Sequence, residues 1–163
     1  MDSLLATVAA LEPDIVAITE SCANEAVSDS ELHIQGYDMF RQDRPCEARG
    51  GGVLLYVASI LGATEYQTKA SFPEHVWCRI ADRIGNNLLV GVCYRTPTDE
   101  IFGSDNHQRL RELLDEVSSK HILLMGDFNY GGIDWEQLRT QQSCSAEGAN
   151  FLTVFRTIYW CSM

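Results

Sequence analysis

Val53-Leu54-Leu55-Tyr56-Val57 is a strand-length run with no polar face. Side chains alternate across a strand, so a segment of this composition must be covered on both sides. That demand excludes a sheet with one wet face and calls for a layered fold. Ile15-Val16-Ala17-Ile18-Thr19 and His121-Ile122-Leu123-Leu124-Met125-Gly126 are further compact apolar runs, and Tyr37 to Arg41 is a further strand candidate. Val76, Cys78 and Ile80 alternate with Trp77, Arg79 and Ala81 at strand period. Gly85-Asn86-Asn87 then supplies turn chemistry, and Leu88 to Tyr94 returns as the second arm of a hairpin. Leu110, Leu113, Leu114 and Val117 recur at i, i+3, i+4 and i+7 and predict a helix, with Asn106 as its cap. Leu4, Leu5, Val8 and Leu11 predict a short helix over Ser3 to Leu11, which Pro13 and Asp14 stop. Residues 21–36 read as irregular. Ile133 to Leu138 is expected to hold a helical turn, and Phe151 to Ile158 is helical or strand-like. The pattern implies a mixed α/β layer fold with substantial antiparallel pairing.

The chain has 163 residues, the size of one domain able to bury its own core. Its 12 Lys+Arg against 23 Asp+Glu give a formal net charge of −11. Such a balance excludes a broad basic footprint of the kind that grips nucleic acid through phosphates alone. Work on DNA or RNA would need a local site or a metal ion. No apolar stretch approaches the ~20 residues of a membrane span, so no membrane partner is expected. Met1-Asp2-Ser3 shows no positive leader, and none of the six cysteines (Cys22, Cys46, Cys78, Cys93, Cys144, Cys161) pair as C-x-x-C. A zinc site is therefore not expected, and Cys78 and Cys93 read as small buried hydrophobes. The cysteine usage implies a reducing compartment, cytoplasmic or nuclear.

Polar groups sit where the apolar strands end. Glu20 closes the first, Tyr94 closes the second hairpin arm, and Asp127 and Asn129 follow the run from His121. Strand ends are where a rigid sheet presents side chains to solvent. If strand geometry continues through Asp127 and Asn129, both point one way while Phe128 plugs the core. A carboxylate can then orient and deprotonate a water while the amide donates to a phosphoryl oxygen. Glu20 suits a hard cation such as Mg²⁺, which takes one or two carboxylates and keeps several waters. Spacing alone leaves plainer readings open. Asp-x-Asn after a strand is often a turn or helix cap, a Glu there is often a solvated loop residue, and Tyr94 fits an ordinary core-edge aromatic.

The surrounding words narrow the choice. Pro13-Asp14-Ile15-Val16-Ala17-Ile18-Thr19-Glu20 resembles the Glu-bearing motif of the endonuclease/exonuclease/phosphatase superfamily, the DNase I-like fold. Arg49-Gly50-Gly51-Gly52 leading into Val53 to Val57 resembles its glycine-led strand, and Val92-Cys93-Tyr94-Arg95-Thr96-Pro97 its Tyr-bearing strand end. His121 to Asn129 carries its Gly-Asp-Phe-Asn signature. The continuation Asn129-Tyr130-Gly131-Gly132-Ile133-Asp134-Trp135 is similar to the endonuclease domains of non-LTR retrotransposon reverse-transcriptase polyproteins, which often carry Tyr-Pro-x-Ile-Asp-Trp; Gly131 stands at the proline.

The resemblance implies a four-layer α/β/β/α sandwich with two mixed sheets. It implies divalent-metal-dependent cleavage of a phosphodiester bond, with DNA as substrate and a reverse-transcriptase domain in the full-length polyprotein. On that reading Glu20 binds Mg²⁺ or Mn²⁺ and Asp127 orients and activates the attacking water. Asn129 holds the phosphate region or positions a catalytic group, and Tyr94 places its hydroxyl near the scissile phosphate.

Two family features have no counterpart in the sequence: a first strand ending in Asn, and a last strand carrying Ser-Asp-His. The expectation is one incomplete domain over 1–163, lacking its first and last strands and weak or inactive as it stands. Its sheets would show open edges, and the apolar tail from Phe151 to Trp160 would lack partners. His33, His75, His107 and His121 are expected at the surface. Two other functions remain open: a non-catalytic module of the same fold, and a phosphoesterase acting on a small phosphorylated molecule or lipid headgroup.

Overall fold

The computed structural model describes residues 2–44, 50–81, 84–97, 102–103 and 105–160, with side chains as far as 156. Cys46, Arg49 and Cys161, and the side chains of Ile158, Tyr159 and Trp160, lie outside the described residues.

Helix α1 (Asp2–Leu11) leads into β1 (Ile15–Thr19), a short helix α2 (Asp29–Leu32), β2 (Tyr37–Gln42) and β3 (Val53–Ala58). Then come β4 (Thr64–Glu65), β5 (His75–Ala81), β6 (Asn87–Tyr94), α3 (Asn106–Val117) and β7 (His121–Asp127). Two-residue strands β8 (Ile133–Asp134) and β9 (Arg139–Thr140) precede α4 (Ala146–Trp160). One sheet has the order β1-β3-β2 and the other β4-β5-β6-β7. The first is antiparallel in each of its described pairings. The second is mixed, because β7 joins β6 in parallel through the α3 crossover.

Strand alternation builds the layers. On β3, Val53, Leu55 and Val57 face the second sheet and meet Val76, Cys78, Val90 and Val92. Leu54 and Tyr56 face the other way, onto Val8 of α1 and Ile34. On β5 and β6, Trp77, Leu89 and Cys93 face outward onto α3 and α4. Helix, sheet, sheet, helix is thus the order through the molecule, the expected four-layer sandwich. The all-apolar β3 run is 3% exposed or less at every position from Val53 to Val57, because both of its faces are covered. Cys78 and Cys93 are each 0% exposed, and burial pushes both thiols up, Cys78 to about 11.

Several local expectations differ from the structure. Asn106 is the first residue of α3 rather than its cap: its side chain is buried and donates to Thr96 Oγ1 at 3.5 Å. Ile133 to Leu138 is not a helical turn, because Asp134 Oδ1 accepts the Gln137 N–H at 3.0 Å and folds the chain back into the β8–β9 hairpin. The 21–36 stretch contains α2, whose Glu31 carboxylate accepts the Ser28 N–H at 2.9 Å. Leu11 is exposed, and Val8 is the buried side chain of α1. The tail from Phe151 finds partners: it is helical, Phe151 and Leu152 are buried, and Phe151 packs 4.7 Å from the Phe128 ring. Strands β1 and β7 stand at the ends of their sheets' strand orders. Among the described residues no helix is long and apolar enough to cross a membrane.

Candidate active site

The parallel β6–β7 ladder runs in register from Leu88 opposite His121 to Tyr94 opposite Asp127. Tyr94 has the parity of Val90 and Val92, so it belongs to the face between the sheets. Register partners share a face, which puts Asp127 on that side with Met125. Gly126 makes the close approach possible. Its φ is +147°, and a Cβ there would lie 1.9 Å from the Cys93 carbonyl oxygen. Backbone cannot give way as a flexible side chain can, so the glycine is required by geometry.

Glu20 arrives from the other sheet. Simple alternation would give it the outward face of Val16 and Ile18. Its φ of +54° breaks the alternation, and its Oε1 accepts the Tyr94 hydroxyl at 2.5 Å. Burial, and then the Glu20 carboxylate, push the Tyr94 phenol up to about 12, so the hydroxyl stays a donor at neutral pH. The loop after Glu20 is pinned to the glycine run. Ser21 N donates to Gly52 O at 3.2 Å and Cys22 N to Gly51 O at 2.9 Å. Gly52 has φ +78° and a Cβ there would meet Ser21 Oγ at 2.7 Å, and the left-handed backbone explains glycine at the head of β3.

Beneath Tyr94 lies a buried ion pair that strand patterning did not reveal. Arg44 Nε and Nη2 donate to the two Glu74 oxygens at 3.1 and 2.8 Å, and the residues are 5% and 1% exposed. Glu74 also accepts the Gly52 N–H at 2.6 Å, and its carbonyl accepts the Tyr94 N–H at 2.9 Å. The Arg44 guanidinium lies 5.6 Å from the Tyr94 ring centre. No local pattern in the sequence marks either residue.

Strand geometry ends at Asp127, so the expected alternation through Asn129 is not what brings the pair together. Asn129 has φ +49°, its N–H donates to Asp127 Oδ1 at 3.1 Å, and its Nδ2 donates to Arg95 O at 2.8 Å. A tight turn therefore holds the amide beside the carboxylate. Part of the amide's donor capacity is spent on that turn, while its carbonyl oxygen accepts no bond among the described residues. Phe128 is buried as expected, packed on Phe151. Asp127 is exposed and Asn129 half-buried. A groove of about 710 Å³ is lined by both of them and by Trp135 and Phe155.

Four candidate residues from three chain segments thus meet at one end of the sandwich. Glu20 bonds Tyr94, Tyr94 stands opposite Asp127, and the Arg95 N–H donates to Asp127 O at 2.9 Å. The histidines divide. His33 and His121 are exposed, the latter at the opposite end of β7 from Asp127. His107 and His75 depart from the surface expectation. His107 Nδ1 lies 2.6 Å from Tyr130 Oη, and His75 is enclosed between Thr68 and Phe72.

Among the described residues no group of three or more His, Cys, Asp or Glu forms a metal cage. The donor set nevertheless fits a partly hydrated hard cation. Glu20 is an exposed carboxylate whose second oxygen accepts no hydrogen bond among the described residues, and Mg²⁺ needs only one or two such groups.

Comparison with solved structures places this geometry among known folds. The endonuclease domain of TRAS1, a telomere-specific non-LTR retrotransposon, superposes with a TM-score of 0.64 at 14% identity over 96% of the present chain and 64% of its own. The AP endonuclease LMAP from Leishmania major gives 0.70 at 15% identity, over 99% and 61%. ANGEL2, a 2′,3′-cyclic phosphatase, gives 0.52 at 17%, over 81% and 45%. The chain thus spans less than two thirds of the length of each. Comparison with curated protein sequences gives no match. A family model matches residues 1–146, a stretch that takes in Glu20, Tyr94, Asp127 and Asn129 together, and by that match the chain belongs to the Endonuclease/Exonuclease/phosphatase family.

Proposed function

We propose that the chain is a metal-dependent phosphodiesterase, an endonuclease of retrotransposon type acting on DNA. The observation that carries this reading is the convergence of Glu20 and Tyr94 with Asp127 and Asn129 at one end of two facing sheets. The likeness to a retrotransposon endonuclease domain and an AP endonuclease supports DNA as the substrate. A reverse-transcriptase domain in the same polyprotein belongs to the same reading.

Glu20 is the residue to hold Mg²⁺ or Mn²⁺, and a cation bound there supplies polarisation of the phosphoryl group and neutralisation of the leaving oxygen. Asp127, exposed at the end of β7, accepts a proton from the attacking water. Asn129 fixes that carboxylate through its own N–H and offers its amide toward the phosphate. Tyr94 keeps its proton, orients Glu20 and presents a polar group where the phosphodiester would lie. With a net charge of −11, the chain depends on a local cation to tolerate a polyanion.

The test is nicking of supercoiled plasmid by the purified chain in Mg²⁺. Asp127→Ala is expected to lower the rate at least about 100-fold, and chelation should abolish it. Nicking that survives in Asp127→Ala rejects the site assignment. Release of inorganic phosphate from phosphomonoesters without nicking would point instead to a small phosphorylated substrate.

A further inference from the structure

Arg95 follows Tyr94 at the end of β6 and is only 9% exposed, yet among the described residues no carboxylate lies within ion-pair distance of it, and Glu147 acts on it only from farther off. Removing a guanidinium from water without a carboxylate is costly unless hydrogen bonds meet the charge. Here carbonyls and a ring meet it. Nη1 donates to Phe128 O at 3.3 Å and to Asn129 O at 3.2 Å. The guanidinium carbon lies 4.2 Å from the Tyr130 ring centre. The Arg95 backbone adds two more straps, N–H to Asp127 O at 2.9 Å and C=O from Asn129 Nδ2 at 2.8 Å.

One residue therefore touches four consecutive residues of the turn, Asp127 through Tyr130. That turn contains Asn129 in the left-handed region, which asparagine enters more readily than other non-glycine residues, and the Arg95 bonds hold it there. Arg95 Nε is buried and bonds nothing among the described residues, so the fork is placed to serve the carbonyls and the ring rather than to satisfy all its own donors. A lysine could keep the charge but could not span two carbonyls while lying flat on an aromatic face.

We infer that Arg95 is the positioning residue of the candidate site, locking the Asp127–Tyr130 turn so that the Asp127 carboxylate is held in a fixed place beside Tyr94. It acts through Asp127 and Asn129 and not on the substrate. Its catalytic consequence rests on the nuclease reading of Asp127, whereas the locking itself does not.

The test compares the full chain with Arg95→Met and Arg95→Lys in two measurements. In amide hydrogen exchange, residues 127–131 are expected to exchange at least about tenfold faster in Arg95→Met while α3 amides stay unchanged, with Arg95→Lys in between. In plasmid nicking, kcat is expected to fall about 10- to 100-fold with KM within about threefold of wild type, and Arg95→Lys to recover part of the loss. Wild-type exchange in the turn of Arg95→Met overturns the inference, as does a loss confined to KM, which would mean direct substrate contact. Faster exchange throughout the chain would likewise overturn it, since that marks a general fold role. If Arg95→Met does not fold, Arg95→Lys carries the same comparison. If the wild type does not nick, the nuclease reading fails while exchange still decides the locking.

Discussion

His75 is held as a neutral imidazole by what surrounds it. Its Nδ1 donates to Phe72 O at 2.6 Å, which leaves Nε2 to accept the Thr68 hydroxyl at 2.7 Å. Burial pushes its pKa below the ordinary imidazole value, against smaller opposing effects from Phe72 and Glu116. The unfolded chain therefore takes up a proton near pH ~6.5, where the folded chain does not, and stability must fall as pH drops from there toward the folded value. Urea midpoints at pH 7.5 and 5.5 should show a larger drop for wild type than for His75→Gln; equal drops would refute the assignment. Glu20 makes the same point about single residues. The sequence marked it as a strand-end carboxylate, but the backbone turn that aims it at Tyr94 depends on Gly51 and Gly52, some thirty positions on.

At the scale of elements, the patterns that are long and periodic were legible. Helix α3 buries Leu110, Leu113, Leu114 and Val117 completely, each at 0% exposure, as its spacing requires. Leu113→Ala should cost about 3 kcal/mol in denaturant unfolding, whereas Leu11→Ala, on the exposed end of α1, should cost less than about 0.5 kcal/mol. Comparable losses would mean that α1 packs more tightly than its 71% exposed Leu11 indicates. Short elements were harder to read. The Ser28-x-x-Glu31 capping pattern was present in the sequence, yet four helical residues give no hydrophobic period to confirm it. The Ile133–Leu138 segment reads as a helical turn although Ile133, Trp135 and Leu138, at i, i+2 and i+5, do not all share one helix face. The Asp134 side chain and the Leu138 left-handed φ of +48° decide otherwise.

Across the whole molecule, two sheets face each other through aliphatic side chains, and polar links cross between them at one end. One is Tyr94 to Glu20; at another, Arg44, just past β2, and the Gly52 N–H, just before β3, both reach Glu74, just before β5. Because the Arg44–Glu74 pair is buried, Glu74→Leu removes the carboxylate that Arg44 Nε and Nη2 both bond and should cost about 3–5 kcal/mol, while the double variant with Arg44→Met should recover a large part. A double-mutant cycle measures this. A single-variant cost no larger than that of a surface substitution would show that the pair does not link the sheets.

The sequence by itself determined the longer strands, α3 and the two-sided burial of β3, and it marked Glu20, Tyr94, Asp127 and Asn129 as candidates, because these are written in local periodicity and short motifs. Only the tertiary structure decided what those residues touch. Glu20 and Tyr94 are 74 positions apart, and Arg44 and Glu74 are 30 apart. Which side chain completes a buried charge, or turns a carboxylate inward, is set by which strands become neighbours, and no local stretch of chain contains that information.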